Sequence, residues 1–223
     1  MRNQNIDQCW QFQHGLYDEF PDAEKAKSIR EVNLPHDYMI ESNVSESAAS
    51  GPASGYYTQG VAYYTKLIDI PQEWEQEVVY LHFDGIMMNA TVDINGCKAI
   101  LQHNGYIPFS VNITPYLYFG KKNRVTITVA PSMQPNSRWY SGSGIYRNVW
   151  LVKTGQVHVD NWGTNITTPV MNADKSTVEI ETTLKNEASD VTVEVSTLIQ
   201  DKEGKTLYRI SSPAEIAAGG KKI

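Results

Sequence analysis

The residues best equipped for chemistry sit in one short run, Arg138-Trp139-Tyr140, inside the turn-rich stretch from Pro131 to Gly144. An arginine, a tryptophan and a tyrosine in succession are costly to leave in water unless something covers them. Two readings stand side by side: Trp139 plugs one end of a β-sandwich, or the triplet contacts a ligand. The usual catalytic signatures are missing. His14, His36, His82, His103 and His158 stand alone, with no His-x-x-x-His or paired-carboxylate spacing, so no metal site is expected. There is no G-x-S-x-G elbow, no phosphate-cradling G-x-x-x-x-G-K and no dinucleotide fingerprint, so no cofactor is expected either. N-x-S/T sequons fall at Asn43, Asn89, Asn112 and Asn165, but Asn89 reads as mid-strand, and such triplets also arise by chance. Cys9 and Cys97 match no metal or redox spacing and leave a disulfide open.

The elements that must position these residues are strands. No segment sustains a 3.6-residue apolar period, whereas alternation with period two recurs. Val79, Leu81 and Phe83 point one way, and Tyr80, His82 and Asp84 the other. Ile86, Met88, Ala90, Val92 and Ile94 continue the alternation up to Asn95-Gly96, a strong type I′ hairpin signal. Val125, Ile127 and Val129 alternate with threonines until Pro131. Further strands are expected at 61–70, 145–153, 156–160, 177–184, 191–199 and 205–210. Short strands in such number, separated by turn signals, mean an all-β fold, a sandwich or a barrel. Residues 42–55 have small polar side chains and little to bury, and a loop of that length is either mobile or functional.

The chain has 223 residues, enough for one large domain or two small ones. Its 25 acidic against 19 basic residues give a net charge of −6, which repels phosphate backbones and argues against nucleic acid as a partner. No apolar run approaches the ~20 residues that span a bilayer, so no membrane partner is expected. The first ten residues lack a secretory apolar core, so any leader is expected to have been removed or never present. A boundary is expected near Thr154-Gly155, because only Trp162 and Tyr208 are aromatic beyond it. That gives domains at 1–154 and 155–223. The second shows about four strands where an immunoglobulin-like sandwich needs roughly seven. It therefore reads as cut short, without a closing strand, and the chain as part of something longer. An unpaired edge strand is prone to pair with another copy, which leaves room for a homo-oligomer.

Four segments carry a family resemblance. Trp10-Gln11-Phe12-Gln13-His14-Gly15 resembles the W-x-F-x-x-G opening of glycoside hydrolase family 2, the β-galactosidase and β-glucuronidase family. Val32-Asn33-Leu34-Pro35-His36-Asp37-Tyr38 is similar to its V-N-L-P-H-D-W, with Tyr38 in place of the usual tryptophan. Gly60 to Lys66, running on to Ile70-Pro71, resembles its G-x-x-Y-Y-R-K-x-x-x-I-P strand, with Thr65 in place of arginine. Arg138 to Leu151 is similar almost letter for letter to R-W-Y-x-G-S-G-I-Y-R-x-V-W-L.

The resemblance implies a jelly-roll, galactose-binding-domain-like sandwich over 1–154, followed by a partial immunoglobulin-like sandwich. It also implies a (β/α)₈ catalytic barrel elsewhere, which in this family holds both glutamates of the retaining mechanism. The chain alone is then expected to be inactive, its partners being a β-galactoside-type carbohydrate and its own missing barrel. Loops of the first domain are expected to lean over the barrel mouth. Arg138 has five donors in a rigid fork and reaches two sugar hydroxyls at once, although it serves equally well in an ion pair that pins the loop. Asp37 accepts two hydroxyl bonds, or caps a turn after His36. Trp139 and Tyr140 offer stacking faces for a sugar's C–H surface. Arg147 reads as structural, and Gly142 and Gly144 as backbone devices. An extracytoplasmic location is expected if the target is a polysaccharide outside the cell. Two other functional classes remain open: a free-standing carbohydrate-binding module, and a structural or adhesive pair of sandwiches.

Overall fold

The structure, a computed structural model, describes residues 2–15, 29–42, 44–48, 51–57, 60–131 and 140–223. Arg138 and Trp139 lie outside the described residues. In chain order the first strands are β1 (Arg2–Asn5), β2 (Trp10–Gly15), β3 (Arg30–Val32), β4 (Val61–Ile70) and β5 (Val78–Phe83). Next come β6 (Ala90–Ile94), β7 (Cys97–Gln102), β8 (Phe109–Asn112), β9 (Lys121–Val129) and β10 (Val149–Thr154). The last are β11 (Val157–Met171), β12 (Ser176–Asn186), β13 (Val191–Gln200), β14 (Thr206–Ile216) and β15 (Lys221–Lys222). Among the described residues the only helical pieces are three-residue 3₁₀ turns at Met39–Glu41, Pro52–Ser54, Gln72–Trp74 and Thr114–Tyr116. The chain is all-β.

It divides into two compact units, Met1–Glu75 with Val79–Lys153, and Gln76–Val78 with Thr154–Ile223. The first unit is a β-sandwich. One sheet has the order β3-β2-β4-β9-β6-β7, the other β1-β10-β5-β8. Alternation along the strands puts one set of side chains between the sheets: Tyr64, Ile68 and Ile70 of β4, Leu81 and Phe83 of β5, and Val125, Ile127 and Val129 of β9. Each large apolar side chain taken fully out of water contributes roughly 1.5–3 kcal/mol. Trp10 is completely buried, and its indole N–H donates to the Ile6 carbonyl at 2.8 Å, so the ring leaves no donor unpaired. The Asn95-Gly96 hairpin forms between β6 and β7 with φ of 53° and 84° at its two residues.

Three expectations are corrected. The alternation from Ile86 to Ile94 is a strand only from Ala90. Ile86 and Met87 are both buried in a bend where Met87 exchanges backbone hydrogen bonds with Gly144, and alternation cannot distinguish such a bend from a strand. Asn89 is therefore not mid-strand; it has φ of 51° and its side chain meets His103 Nδ1 at 2.9 Å. The final residues are not without a strand, because Lys221 and Lys222 pair with Lys185 and Leu184 of β12. Cys9 and Cys97 are both free and exposed.

The second unit holds two small sheets, β11-β12-β15 and β13-β14. Its fully buried apolar side chains are few, chiefly Leu184 and Ile216. A groove of about 390 Å³ runs between β12 and the β13-β14 pair, lined by Val178, Ile180, Val195, Ile199 and Ile210 among others. Asn186 is fully buried, and its amide donates to the carbonyls of Ser189, Ile216 and Ala217.

Candidate functional site

The candidate site is a cluster of loops in the first unit: residues 34–42 after β3, residues 44–48 with 51–57, and residues 140–148 before β10. Backbone bonds tie the first and last together. The His36 amide donates to Ile145 at 2.8 Å, and the Tyr38 amide to Ser143 at 3.0 Å. Between these rungs Gly144 has φ of 134°, and a Cβ there would stand 2.4 Å from the His36 carbonyl oxygen. No side chain fits at that approach, which explains the glycine.

Consecutive side chains of the first loop anchor different elements. His36 Nδ1 lies 2.8 Å from the Tyr64 hydroxyl of β4. Its Nε2 faces Glu41 Oε1 at 3.3 Å and the Arg30 guanidinium at 3.4 Å, so the imidazole sits between a phenol and an ion pair. Arg30 pairs with Glu41 and lies over the Phe12 ring at 5.1 Å. Burial holds the His36 pKa below its ordinary value against the opposing pull of Glu41, and burial raises that of Tyr64. The Tyr38 hydroxyl donates to the Gly60 carbonyl at 2.7 Å, tying this loop to the backbone ahead of β4.

Asp37 is the hub. Its Oδ1 accepts the Met39 amide at 3.0 Å and the Ser143 amide at 2.9 Å, and its Oδ2 accepts the Tyr140 hydroxyl at 2.6 Å. Gly142, with φ of 72°, passes so close that a Cβ would sit 2.7 Å from Oδ2. Desolvation and the Asp37 carboxylate both raise the Tyr140 pKa, so the group stays a phenol. The Tyr57 ring meets Tyr140 edge-on at 5.3 Å, fixing residues 51–57 to the same point. Among the described residues, no three His, Cys, Asp or Glu side chains group in a way that could hold a metal ion.

The structure thus brings together two of the four residues singled out for sugar contact, Asp37 and Tyr140. Asp37 both caps a turn, through the Met39 amide, and bridges to the distant loop. Three bonds fill most of its acceptor capacity and leave roughly one lone-pair direction open. Tyr140 is 37 % exposed, and with its hydroxyl proton committed to Asp37 it offers a ring face rather than a donor. Arg147 stacks on its neighbour Tyr146 at 5.6 Å. The histidines do not stand alone in space: His36 links Tyr64 to Glu41, and His82 links Ser110 Oγ at 2.7 Å to Asp84 at 3.1 Å. Sequence reasoning missed Tyr57, Tyr64 and Glu41. Of these, only Tyr64 left a trace, as an inward position in the alternation of β4.

Residues 4–155 match the family described as "Glycosyl hydrolases family 2, sugar binding domain". The chain is 40% identical over 191 residues to the β-galactosidase BoGH2A of Bacteroides ovatus, covering 85% of this chain and 22% of that protein. It superposes with a TM-score of 0.88 and 32% identity on a family 2 glycosyl hydrolase from Bacteroides cellulosilyticus, over 100% of this chain and 30% of that one. A β-glucuronidase from Bacteroides uniformis aligns with a TM-score of 0.83 and 25% identity, over 99% of this chain and 26% of that one. The chain therefore spans less than a third of the length of each of these three proteins. Motifs, fold and relatives agree, and the chain belongs to glycosyl hydrolase family 2, with the family's sugar-binding domain at residues 4–155.

Proposed function

We propose that this chain is the N-terminal, non-catalytic part of a retaining β-galactosidase-like glycoside hydrolase, in which it shapes the rim of the substrate pocket. A (β/α)₈ barrel supplies the two catalytic carboxyl groups, which in a retaining enzyme stand about 5 Å apart across the scissile bond. The observation that carries the reading is the 40% identity to a β-galactosidase over 85% of this chain, above the 31% identity to a putative β-glucuronidase over 81% of it. The loop cluster supports a rim role, because Asp37, Tyr140 and Tyr57 hold three loops in fixed relation and leave an aromatic face outward. A pre-ordered rim costs little entropy when it meets a ligand. An enzyme acting on polysaccharide outside the cell is exported, and we place this one there.

The test is hydrolysis. The chain by itself releases no nitrophenol from nitrophenyl β-galactoside or β-glucuronide. The longer enzyme cleaves the galactoside with a kcat/KM at least tenfold above that for the glucuronide. Preference for the glucuronide overturns the sugar assignment, and hydrolysis by the chain alone overturns the non-catalytic role.

A further inference from the structure

The second unit is closed at one end and open at the other. Leu184, Asn186 and Ile216 are buried at the closed end. Further along the same strands, Val178 is 45 % exposed and Ile210 63 % exposed, although both line the groove between the two sheets. Ile166 stands directly opposite Ile180 in the β11-β12 pair, hence on the same face of the sheet, and is 61 % exposed. An apolar face this open is a surface that something covers.

The backbone says what covers it. β12 pairs along most of its length with β11, but its other edge meets β15 only, where Leu184 faces Lys222 and Lys185 faces Lys221. Across that second edge the Asn186 amide donates to the Gly220 carbonyl at 3.0 Å, whereas the Glu187 amide donates to Gln156 on the β11 side. Successive residues of a strand turn their backbone groups to opposite edges, so Leu184, Thr182, Ile180 and Val178 present theirs to the β15 edge. Among the described residues no strand meets Thr182, Ile180 or Val178 there. Because β15 is antiparallel to β12, a chain continuing past Lys222 heads along this bare edge towards the open end, and Ile223 already lines the groove.

We propose that the bare edge of β12 and the groove beside it are the docking site of the polypeptide that follows Ile223 in the longer enzyme, which prolongs β15 as a strand against residues 176–183. The proposal rests on the reading of this chain as the N-terminal part of a larger protein, in keeping with its 22% share of the β-galactosidase it resembles. The Leu184–Lys222 pairing fixes the register: the second, fourth and sixth residues after Lys222 fall opposite Thr182, Ile180 and Val178. Opposed residues share a face, and Val178, Ile180, Thr182 and Leu184 all line the groove, so the side chains at those three places enter it and are apolar. A second copy fits less well. Its β12, laid against this edge about a two-fold axis at Ile180, sets Glu179 and Glu181 against the same two carboxylates of the copy, and like charges opposed across strands destabilise a sheet.

The test compares this 223-residue chain with the same chain extended by about ten residues of the longer enzyme, enough for one strand. Hydrogen exchange followed by NMR reads the edge directly. In the extended chain the amides of Val178, Ile180 and Thr182 exchange at least tenfold more slowly, while those of β4 in the first unit are unchanged. Val178→Ser leaves the melting temperature of the second unit within about 1 °C in the 223-residue chain and lowers it by about 3–5 °C in the extended one. Equal exchange at the three amides in both forms overturns the proposal, as does a Val178→Ser variant that shifts both forms alike. A 223-residue chain that is dimeric by light scattering, with these amides already protected, puts a second copy in the groove and overturns it too. None of these readouts involves sugar, so they separate from the hydrolysis test: the extension docks whichever glycoside the longer enzyme prefers.

Discussion

The Tyr140 hydroxyl donates to Asp37 Oδ2 at 2.6 Å across 103 positions of sequence, and this bond fastens two loops at the same end of the first unit. A phenol bonded to a carboxylate is charge-assisted, and such bonds contribute roughly 1.5–3 kcal/mol. Tyr140 is more than a third exposed, which argues for the lower end of that range.

Tyr140→Phe is therefore expected to destabilise the first unit by about 1–1.5 kcal/mol. Asp37→Ala is expected to cost more, about 3 kcal/mol, because it also orphans the Met39 and Ser143 amides. Urea unfolding of both variants and the double mutant checks this. Since the two residues share one bond, the double mutant should lose less than the sum of the single losses.

Gly144→Ala is expected to prevent folding of the first unit or to cost upward of 3 kcal/mol. The added Cβ would meet the His36 carbonyl at 2.4 Å in a backbone region that L-residues avoid. Gly142→Ala collides with a carboxylate at 2.7 Å and should cost less, about 1–2 kcal/mol, because that side chain can shift. Soluble yield and circular dichroism distinguish the two.

Stability is expected to fall on mild acidification. Burial lowers the pKa of both His14 and His36 below the ordinary 6.5, and it leaves His14 Nε2 without a hydrogen-bond partner. The unfolded chain then binds protons that the native one refuses, so stability rises with pH through this window. Their contribution is present above pH 6.5 and is lost as pH falls through the lower folded-state values. Urea midpoints measured from pH 7.5 to 5 should decline, and His14→Gln should flatten part of the slope.

Hydrogen exchange is expected to separate the two units. The second relies on a small core around Leu184, Ile216 and the Asn186 amide, whereas the first encloses a continuous core between two sheets. Amides of β13 and β14 should exchange at least tenfold faster than those of β4 and β9. Asn186→Ala should speed them further, because three carbonyls lose their donor.

Much of the architecture was legible because its cause is local. Period-two alternation located β4, β5 and β9, and the Asn95-Gly96 pair located the turn of the β6-β7 hairpin. Alternation failed at Ile86 to Met88, where both Ile86 and Met87 face inward, because the Met87–Gly144 backbone pairing is a long-range event that no local pattern encodes. Residues 42–55 were readable as a loop, but the bonds of its described residues were not: Val44 bridges to Tyr57, and Tyr57 rests on Tyr140, a residue more than eighty positions away.

The sequence by itself determined the all-β class, the family, and the presence of Asp37 and Tyr140 at the candidate site, since residue type, alternation and motif are properties of short segments. Only the tertiary structure decided what those residues do for one another. Asp37 became a hub and His36 a bridge between Tyr64 and Glu41. Hydrogen bonds of 2.6–3.3 Å between distant loops exist only once two sheets have packed and brought their connecting ends together, and the free energy for that lies in the shared core rather than in any one segment.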